Sequence, residues 1–167
     1  MGSDDGFKEF VETRYVDLLR IAFLLTGSAA EAEDLLQACL VKAMRRWRKI
    51  EDPVAYLRRV MANQHISWWR RYRQREVTTP SPPDTHVHDL AERVVLRDEL
   101  QEALNGLPPR TRAVVILRYV ADLPEAEVAA VLGCSLGTVK SQASRGLTRL
   151  RSVLDVNLER SQTSVNR

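Results

Sequence analysis

Short hydroxyl side chains and long cations cluster between Cys134 and Arg151, in the stretch CSLGTVKSQASRGLTRLR. Serine and threonine at this density weaken a helix, yet the apolar residues of the stretch recur at helical spacing. Hydroxyls, amides and cations are the groups that contact base edges and phosphates in a DNA major groove. The residues of this kind are Thr138, Lys140, Ser141, Gln142, Ser144, Arg145, Thr148 and Arg149. A helix pair used only for protein contact is the alternative.

A second cationic block is interleaved with aromatic residues. Residues 42–75 contain eleven Lys or Arg side chains and only two acids. On a helix over PVAYLRRVMANQHISWWRRYRQR, Trp68 shares a stripe with apolar residues and is predicted to be buried, whereas Trp69 and Asn63 lie among arginines. Such a surface can stack on unpaired bases and neutralise their backbone. The alternative is that both tryptophans are buried and the arginine stems cover apolar surface.

Catalytic chemistry has little support in the sequence. Asp34 lies near Glu31 and Glu33, but an acidic patch on an amphipathic helix is more often a solvated or docking face. The sequence contains no Gly-rich phosphate loop and no nucleophile motif. We therefore predict a binding protein with no catalytic residues and no cofactor.

Metal binding is not predicted either. His86 and His88 form an H-x-H pair within a proline-bearing connector, without other ligands near them in sequence. Cys39 and Cys134 lie far apart and form no C-x-x-C pair, so we interpret them as small apolar residues.

The first cluster requires two helices to position it. PEAEVAAVLGCSLGTVKSQASRGLTRL predicts a helix over Glu125–Leu132, a turn at Gly133, an N-cap at Ser135 and a second helix running past Arg149. This is helix-turn-helix spacing. One stripe of the second helix is predicted to form the core, and its members are Leu136, Val139, Ala143, Leu147, Leu150 and Leu154.

The periodicity is helical on both sides of a connector, EVTTPSPPDTHVHD, which is rich in proline and hydroxyl residues. The predicted fold class is all-α, with two small helical domains joined by a flexible Pro-rich linker, the second being a helix-turn-helix domain. The predicted boundaries are 7–75 and 91–155 for the domains, 76–90 for the linker and 156–167 for the tail. We expect the last residues, SQTSVNR, to be disordered.

The charge pattern and hydropathy limit the class of partner. Residues 1–41 are mainly acidic, residues 42–75 basic, residues 76–139 acidic again and the end basic from Lys140. Two basic segments in one chain favour two contacts with one polyanion. No apolar run is long enough to cross a bilayer, and MGSDDGFKEF lacks the features of a secretion signal. We therefore expect a cytoplasmic location and no membrane insertion.

Four ordered segments carry a resemblance to a known family. They are AEDLLQACLVKAMRRW, PVAYLRRVMANQHI, the connector, and LPPRTRAVVILRYVADLPEAEVAAVLGCSLGTVKSQASRGLTRLR. In this order they resemble the extracytoplasmic-function sigma factors of bacterial RNA polymerase, group 4 of the sigma-70 family, and most of all its actinobacterial branch. The resemblance runs from about Phe7 to Leu154 and implies region 2 in the first domain and region 4 in the second.

The resemblance implies three contact sets. The first docks on the clamp coiled coil of polymerase and contains Asp34, Leu35, Gln37 and Leu40, with the leucines as neighbouring apolar surface or core. The second binds the melted minus-ten element, with Asn63 at the position that binds a flipped base, and contains Arg48, Lys49, Arg59, Asn63, Trp69, Arg70 and Arg73. The third binds the minus-thirty-five duplex and contains Thr138, Lys140, Ser141, Gln142, Ser144, Arg145 and Arg149.

The implied partners are core RNA polymerase, through its clamp coiled coil and flap, and promoter DNA in both duplex and single-stranded form. An anti-sigma factor is a further possible partner. A repressor or activator that binds its operator without polymerase is the main alternative, and gel shifts with and without core enzyme distinguish the two.

Overall fold

The computed structural model describes the backbone of residues 2–75 and 98–165 and the side chains of residues 5–72 and 99–156. Every regular element in these ranges is helical, as predicted. The chain divides into two compact units, Met1–Val94 and Val95–Arg167. The predicted linker, its histidine pair and the start of the second predicted domain at 91–97 lie outside the described residues.

The first unit contains three long helices, α1 (Gly2–Thr26), α2 (Ala29–Arg46) and α3 (Pro53–Arg75). Ser28 is the N-cap of α2, and its hydroxyl accepts from the amide of Glu31. Asp52 caps α3 by accepting from the amide of Ala55 at 3.0 Å. All three helices contact one another around a core of mainly leucine side chains, which includes Leu25, Leu35, Leu36, Leu57 and Met61.

A 3₁₀ turn over Trp47–Lys49 follows α2. The indole of Trp47 packs on two rings of α1, with centroids 5.2 Å from those of Phe7 and of Phe10. Aromatic pairs at this separation add specific stabilisation to their burial. The end of α2 and the basic residues after it are therefore held against α1.

The second unit contains α4 (Asp98–Asn105), α5 (Pro109–Val115), a π turn (Ile116–Val120), α6 (Glu125–Leu132) and α7 (Leu136–Val165). Helices α4, α5 and α6 all pack on α7. The buried guanidinium of Arg112 donates to the carbonyls of Asn105 and Leu107, both at 3.2 Å. It thereby gives a hydrogen-bond partner to a carbonyl at the end of α4 that has none within the helix.

Helix α7 extends beyond the predicted second domain, because it continues to Val165. Residues 161–165 are therefore helical and do not form the disordered tail that the sequence predicts. No glycine or proline follows Gly146 to end the helix. In the predicted core stripe, Val139, Ala143 and Leu150 are buried, but Leu136 is 44% exposed.

Gly146 of α7 lies close against side chains of α5. A Cβ atom built at this position would lie 2.6 Å from Cγ2 of Val115 and 3.1 Å from Cγ2 of Thr111. Neither methyl belongs to a long, flexible side chain. The packing of the two helices therefore requires the absence of a side chain here.

We predict that Gly146→Ala destabilises the second unit by about 1–3 kcal/mol through overpacking. Urea unfolding followed by hydrogen exchange in α5 and α7 measures this. The loss should shrink in a Val115→Ala background, which removes the clashing methyls. Gly137→Ala is the matched control, because its nearest neighbour is Oγ of Ser135 at 3.9 Å. Equal losses from the two glycine substitutions would contradict the packing explanation.

Candidate nucleic-acid interface

The helix-turn-helix predicted from the sequence is present in the second unit. Helix α6 ends at Leu132, and Gly133 follows with φ of +61°, a left-handed conformation that glycine adopts without steric cost. The amide of Cys134 donates to the carbonyl of Ala129 at 3.1 Å and closes the turn. A guanidinium from α5 secures the same turn, because Arg110 Nη2 donates to the Leu132 carbonyl at 2.6 Å.

Ser135 is the N-cap of α7, as predicted. Its hydroxyl accepts from the Thr138 amide at 3.1 Å and lies 2.8 Å from the Thr138 hydroxyl. Its carbonyl accepts from the Val139 amide at 3.1 Å. The two hydroxyls are hydrogen-bonded to each other, so Thr138 helps to fix the start of α7. Thr138 is half-buried.

The exposed face of α7 brings together most of the second-unit residues singled out in the sequence. The exposed members are Lys140, Ser141, Ser144, Arg145, Thr148 and Arg149. At 100° per residue they cover about half of the helix circumference, opposite the buried side chains. The Ser141 and Thr148 hydroxyls donate to backbone carbonyls three and four residues earlier, which leaves their oxygen lone pairs able to accept. No acidic residue occurs between Cys134 and Leu154.

Two further members of the predicted set, Gln142 and Lys140, are also affected by neighbouring groups of the protein. Gln142 is half-buried, and its amide oxygen is enclosed without a hydrogen-bond partner. The acceptor half of this amide is therefore not available to a base edge. Lys140 Nζ lies 3.9 Å from a carboxylate oxygen of Glu125 at the start of α6. Both groups are partly exposed, so this ion pair is weak and leaves the ammonium accessible.

The first unit has a basic cleft where α2, the 3₁₀ turn and α3 meet. Its volume is about 760 Å³, and we call it the basic cleft. Its lining residues are Arg45, Arg46, Lys49, Ile50, Glu51, Asp52, Ala55, Tyr56 and Arg59. An aromatic ring beside several cations is what a single-stranded nucleic acid needs, because rings stack on bases and cations pair with phosphates. Asp52 contributes the α3 cap described above.

Only part of the predicted first-unit set belongs to this cleft. Lys49 and Arg59 line it, while Arg48 is exposed outside it. Arg59, Asn63 and Arg70 are all exposed and lie within about 40° on α3, so they form a face that begins at the cleft.

Trp68 and Trp69 are both half-buried, so neither is fully enclosed as the alternative required. The sequence pattern predicts a buried Trp68, whereas the structure leaves this side chain partly exposed. The Arg73 side chain lies outside the described residues. Arg45, Arg46 and Tyr56 were not assigned from the sequence, although the two arginines belong to the counted basic block; the turn that brings them together has no clear sequence signal.

The predicted polymerase-docking set on α2 needs correction. Asp34 and Gln37 are exposed, but Leu35 is 0% and Leu40 7% exposed, so these leucines belong to the core. Helical periodicity places the exposed positions elsewhere. Asp34, Gln37, Val41 and Met44 follow a spacing of three, four and three residues and lie within about 80°, and we call them the α2 outer stripe.

No group of three or more potential metal ligands occurs among residues whose side chains the structure describes. Of the helices in the described ranges, none is both long and apolar enough to cross a bilayer.

Sequence profiles of two family regions match this chain. The profile described as "Sigma-70 region 2" matches residues 10–76, and "Sigma-70, region 4" matches residues 97–150. The first match covers α3 and the basic cleft, and the second covers the helix-turn-helix.

Two curated proteins and one solved structure are similar over most of the chain. An RNA polymerase sigma-E factor of Streptomyces coelicolor is 43% identical over 157 residues, covering 92% of this chain and 89% of that protein. The ECF RNA polymerase sigma factor SigE of Mycolicibacterium smegmatis is 31% identical, covering 89% and 62%. The sigma factor RpoE of Bartonella quintana, solved with the anti-sigma factor NepR, has a TM-score of 0.70 at 28% identity, covering 89% of this chain and 98% of that one.

Both free cysteines can be tested for reactivity. Burial raises the pKa of the Cys39 thiol from 9.0 to about 12, against a smaller opposite effect of the Lys42 ammonium. Cys39 is fully buried, whereas Cys134 is partly exposed. Because the thiolate is the reactive form, Cys39 should be inert at neutral pH.

We predict that iodoacetamide at pH 8 labels Cys134 and leaves Cys39 unmodified in the folded chain, as measured by mass spectrometry of peptides. Both should react in urea. Because the folded-state pKa is the higher one, the stability contributed by the neutral Cys39 thiol should be lost as pH rises from 9 towards 12. Equal labelling of the two cysteines without denaturant would refute the assignment of Cys39 to the core.

Proposed function

The chain belongs to the sigma-70 family, as an extracytoplasmic-function RNA polymerase sigma factor, and from this membership we propose how its two units divide the work. Members of this family direct RNA polymerase to promoters. We propose that the second unit binds the minus-thirty-five duplex through α7, and that the first unit binds core polymerase and the melted minus-ten strand. The protein acts in the cytoplasm by binding and not by catalysis.

The exposed face of α7 is the observation that carries the duplex half of the proposal. It offers three cations and three hydroxyls, with no acid along the same stretch. Arginine and lysine pair with guanine edges and phosphates, and hydroxyls bond to either kind of group. A helix of this composition after a capped turn fits the major groove, where the N-terminal part of the second helix contacts base edges.

The basic cleft and the α3 face support the single-strand half. Four cations and Tyr56 surround the cleft, and Asn63 follows one turn after Arg59. A base extruded from the duplex loses a few kcal/mol of stacking and pairing. Stacking on Tyr56 or Trp69, together with an amide hydrogen bond from Asn63, would offset that loss and hold the strand open.

The α2 outer stripe is proposed as the surface that docks on polymerase. It combines two polar residues with two exposed apolar ones, Val41 at 43% and Met44 at 49% exposed. Apolar side chains of this size are common near the centre of protein interfaces, where methionine is enriched. An anti-sigma factor is a second proposed partner, supported by the complex in which the Bartonella quintana relative was solved.

Run-off transcription tests the function as a whole. Core RNA polymerase supplemented with the full chain should start RNA synthesis at discrete genomic sites that core enzyme alone does not use. Gel shifts with promoter fragments should require core enzyme. A chain that binds an operator tightly by itself and never directs initiation would be an autonomous repressor or activator instead.

We predict that Asn63→Ala impairs promoter opening more than promoter binding, by tenfold or more in the rate of opening, while Arg145→Ala weakens upstream duplex binding. Loss of one base contact costs about 1–3 kcal/mol, a factor of roughly 5 to 150, and the middle of this range exceeds tenfold. Permanganate footprinting of thymines reports opening, and DNase protection reports duplex binding. Trp69→Ala should resemble Asn63→Ala.

The control for this set is Thr13→Ala, an exposed position on α1 outside the cleft. Unchanged permanganate reactivity in both the Asn63 and Trp69 variants would remove them from the melted-strand site.

We predict that Val41→Glu and Met44→Glu each lower the affinity for core polymerase tenfold or more, because a charge would be buried in an apolar contact without a partner. Folding should be unaffected, since both side chains are exposed. Fluorescence anisotropy of labelled chain with core enzyme measures the affinity.

Val16→Glu is the matched control, because Val16 is 49% exposed but lies on α1. An equal loss in all three variants would mean that the α2 outer stripe is not the specific docking surface.

A further inference from the structure

Leu136 lies in an environment that its place in the sequence pattern does not explain. It belongs to the apolar stripe of α7, yet 44% of it is exposed while Val139, three residues on, is completely buried. Side chains on a helix lean towards its N-terminus, over the preceding turn. Leu136 is the first residue of α7, so no helical turn precedes it, and Gly133 offers no side chain to cover it.

The backbone beneath Leu136 is firmly held. The Ser135 cap bonds the Thr138 amide, and the Arg110 guanidinium holds the end of α6 just before the turn. The exposure therefore belongs to a fixed helix end. A leucine held outward at a rigid position can contact a partner at little entropic cost.

The surroundings of Leu136 indicate what that partner is. Lys140 lies one turn later on the same side of α7 and is also exposed. The stretch from Cys134 to Leu154 contains cations and no acids. A single exposed leucine is common on protein surfaces, but this one is the apolar tip of a cationic helix. A polyanion that carries a localised apolar group would match both the leucine and the cations.

The DNA major groove meets that description at one kind of base. Among the groups exposed there, the thymine 5-methyl is the apolar one, and it is contacted by apolar side chains. The residues at the start of the second helix of a helix-turn-helix are those that reach base edges. We propose that Leu136 is a specificity-determining residue that contacts the methyl group of one thymine in the upstream promoter element. This inference rests on the proposed function.

The test replaces thymine by deoxyuridine, which removes only the methyl group. Holoenzyme of full chain and core polymerase first selects a promoter by run-off transcription, and each thymine of its upstream element is then substituted in turn. At one position the wild-type holoenzyme should lose about fourfold in affinity, the value expected for one buried methyl group. Leu136→Ala should bind the two duplexes equally, and Leu136→Met should keep the discrimination.

Val153→Ala is the matched control, because Val153 is also an exposed apolar residue of α7, 37% exposed and far from its start. It should retain the full ratio between thymine and uracil. If Leu136→Ala weakens both duplexes by the same factor, or if no thymine depends on Leu136, the inference is wrong while promoter binding stands. If the holoenzyme selects no promoter, the proposed function fails, and the inference fails with it.

Discussion

The start of α7 is the constraint on which the second unit depends. Three independent features fix it: the left-handed Gly133, the Ser135 cap and the Arg110 guanidinium on the Leu132 carbonyl. The first sets the direction of the chain, the second satisfies amides that have no partner within the helix, and the third ties the turn to α5. Because a helix is stiff along its length, fixing its first turn orients every side chain on its exposed face.

The part of α7 beyond its capped first turn is held by packing. Gly146 lets α5 lie against α7 with no side chain between them, so the helix is held at its start by hydrogen bonds and farther along by close contact. The first unit uses a comparable arrangement, in which Trp47 packs on Phe7 and Phe10 and positions the 3₁₀ turn beside the basic cleft. In both units the rigid part is held by apolar packing or by hydrogen bonds to the backbone. The residues proposed to bind a partner lie on the surface of this rigid part. Substitutions on that surface can therefore change binding with little effect on folding.

Local patterns explain how much the sequence could predict. The bounds of α6, the turn and the Ser135 cap follow from short-range rules, and the structure has them at the predicted residues. The errors have a different origin. The resemblance implies a docking set that includes Leu35 and Leu40, but their burial depends on which face of α2 meets α1 and α3. Leu136 was placed in the core because periodicity assumes a helix without ends. Arg45, Arg46 and Tyr56 line one cleft because the 3₁₀ turn redirects the chain between α2 and α3, and this turn has no clear sequence signal.

The exposure of the candidate contacts also limits how tightly either unit can bind alone. Long cationic side chains in water gain little from a single ion pair, because they lose rotamer freedom when they are fixed and salt screens the attraction. A few phosphate contacts therefore give weak, salt-sensitive binding. Two weakly binding surfaces in one chain gain from each other only when both targets are presented at a compatible distance, since the second contact then becomes intramolecular. A larger machine that holds the DNA meets this requirement, and this is the physical reason to expect promoter binding by this chain to depend on core polymerase.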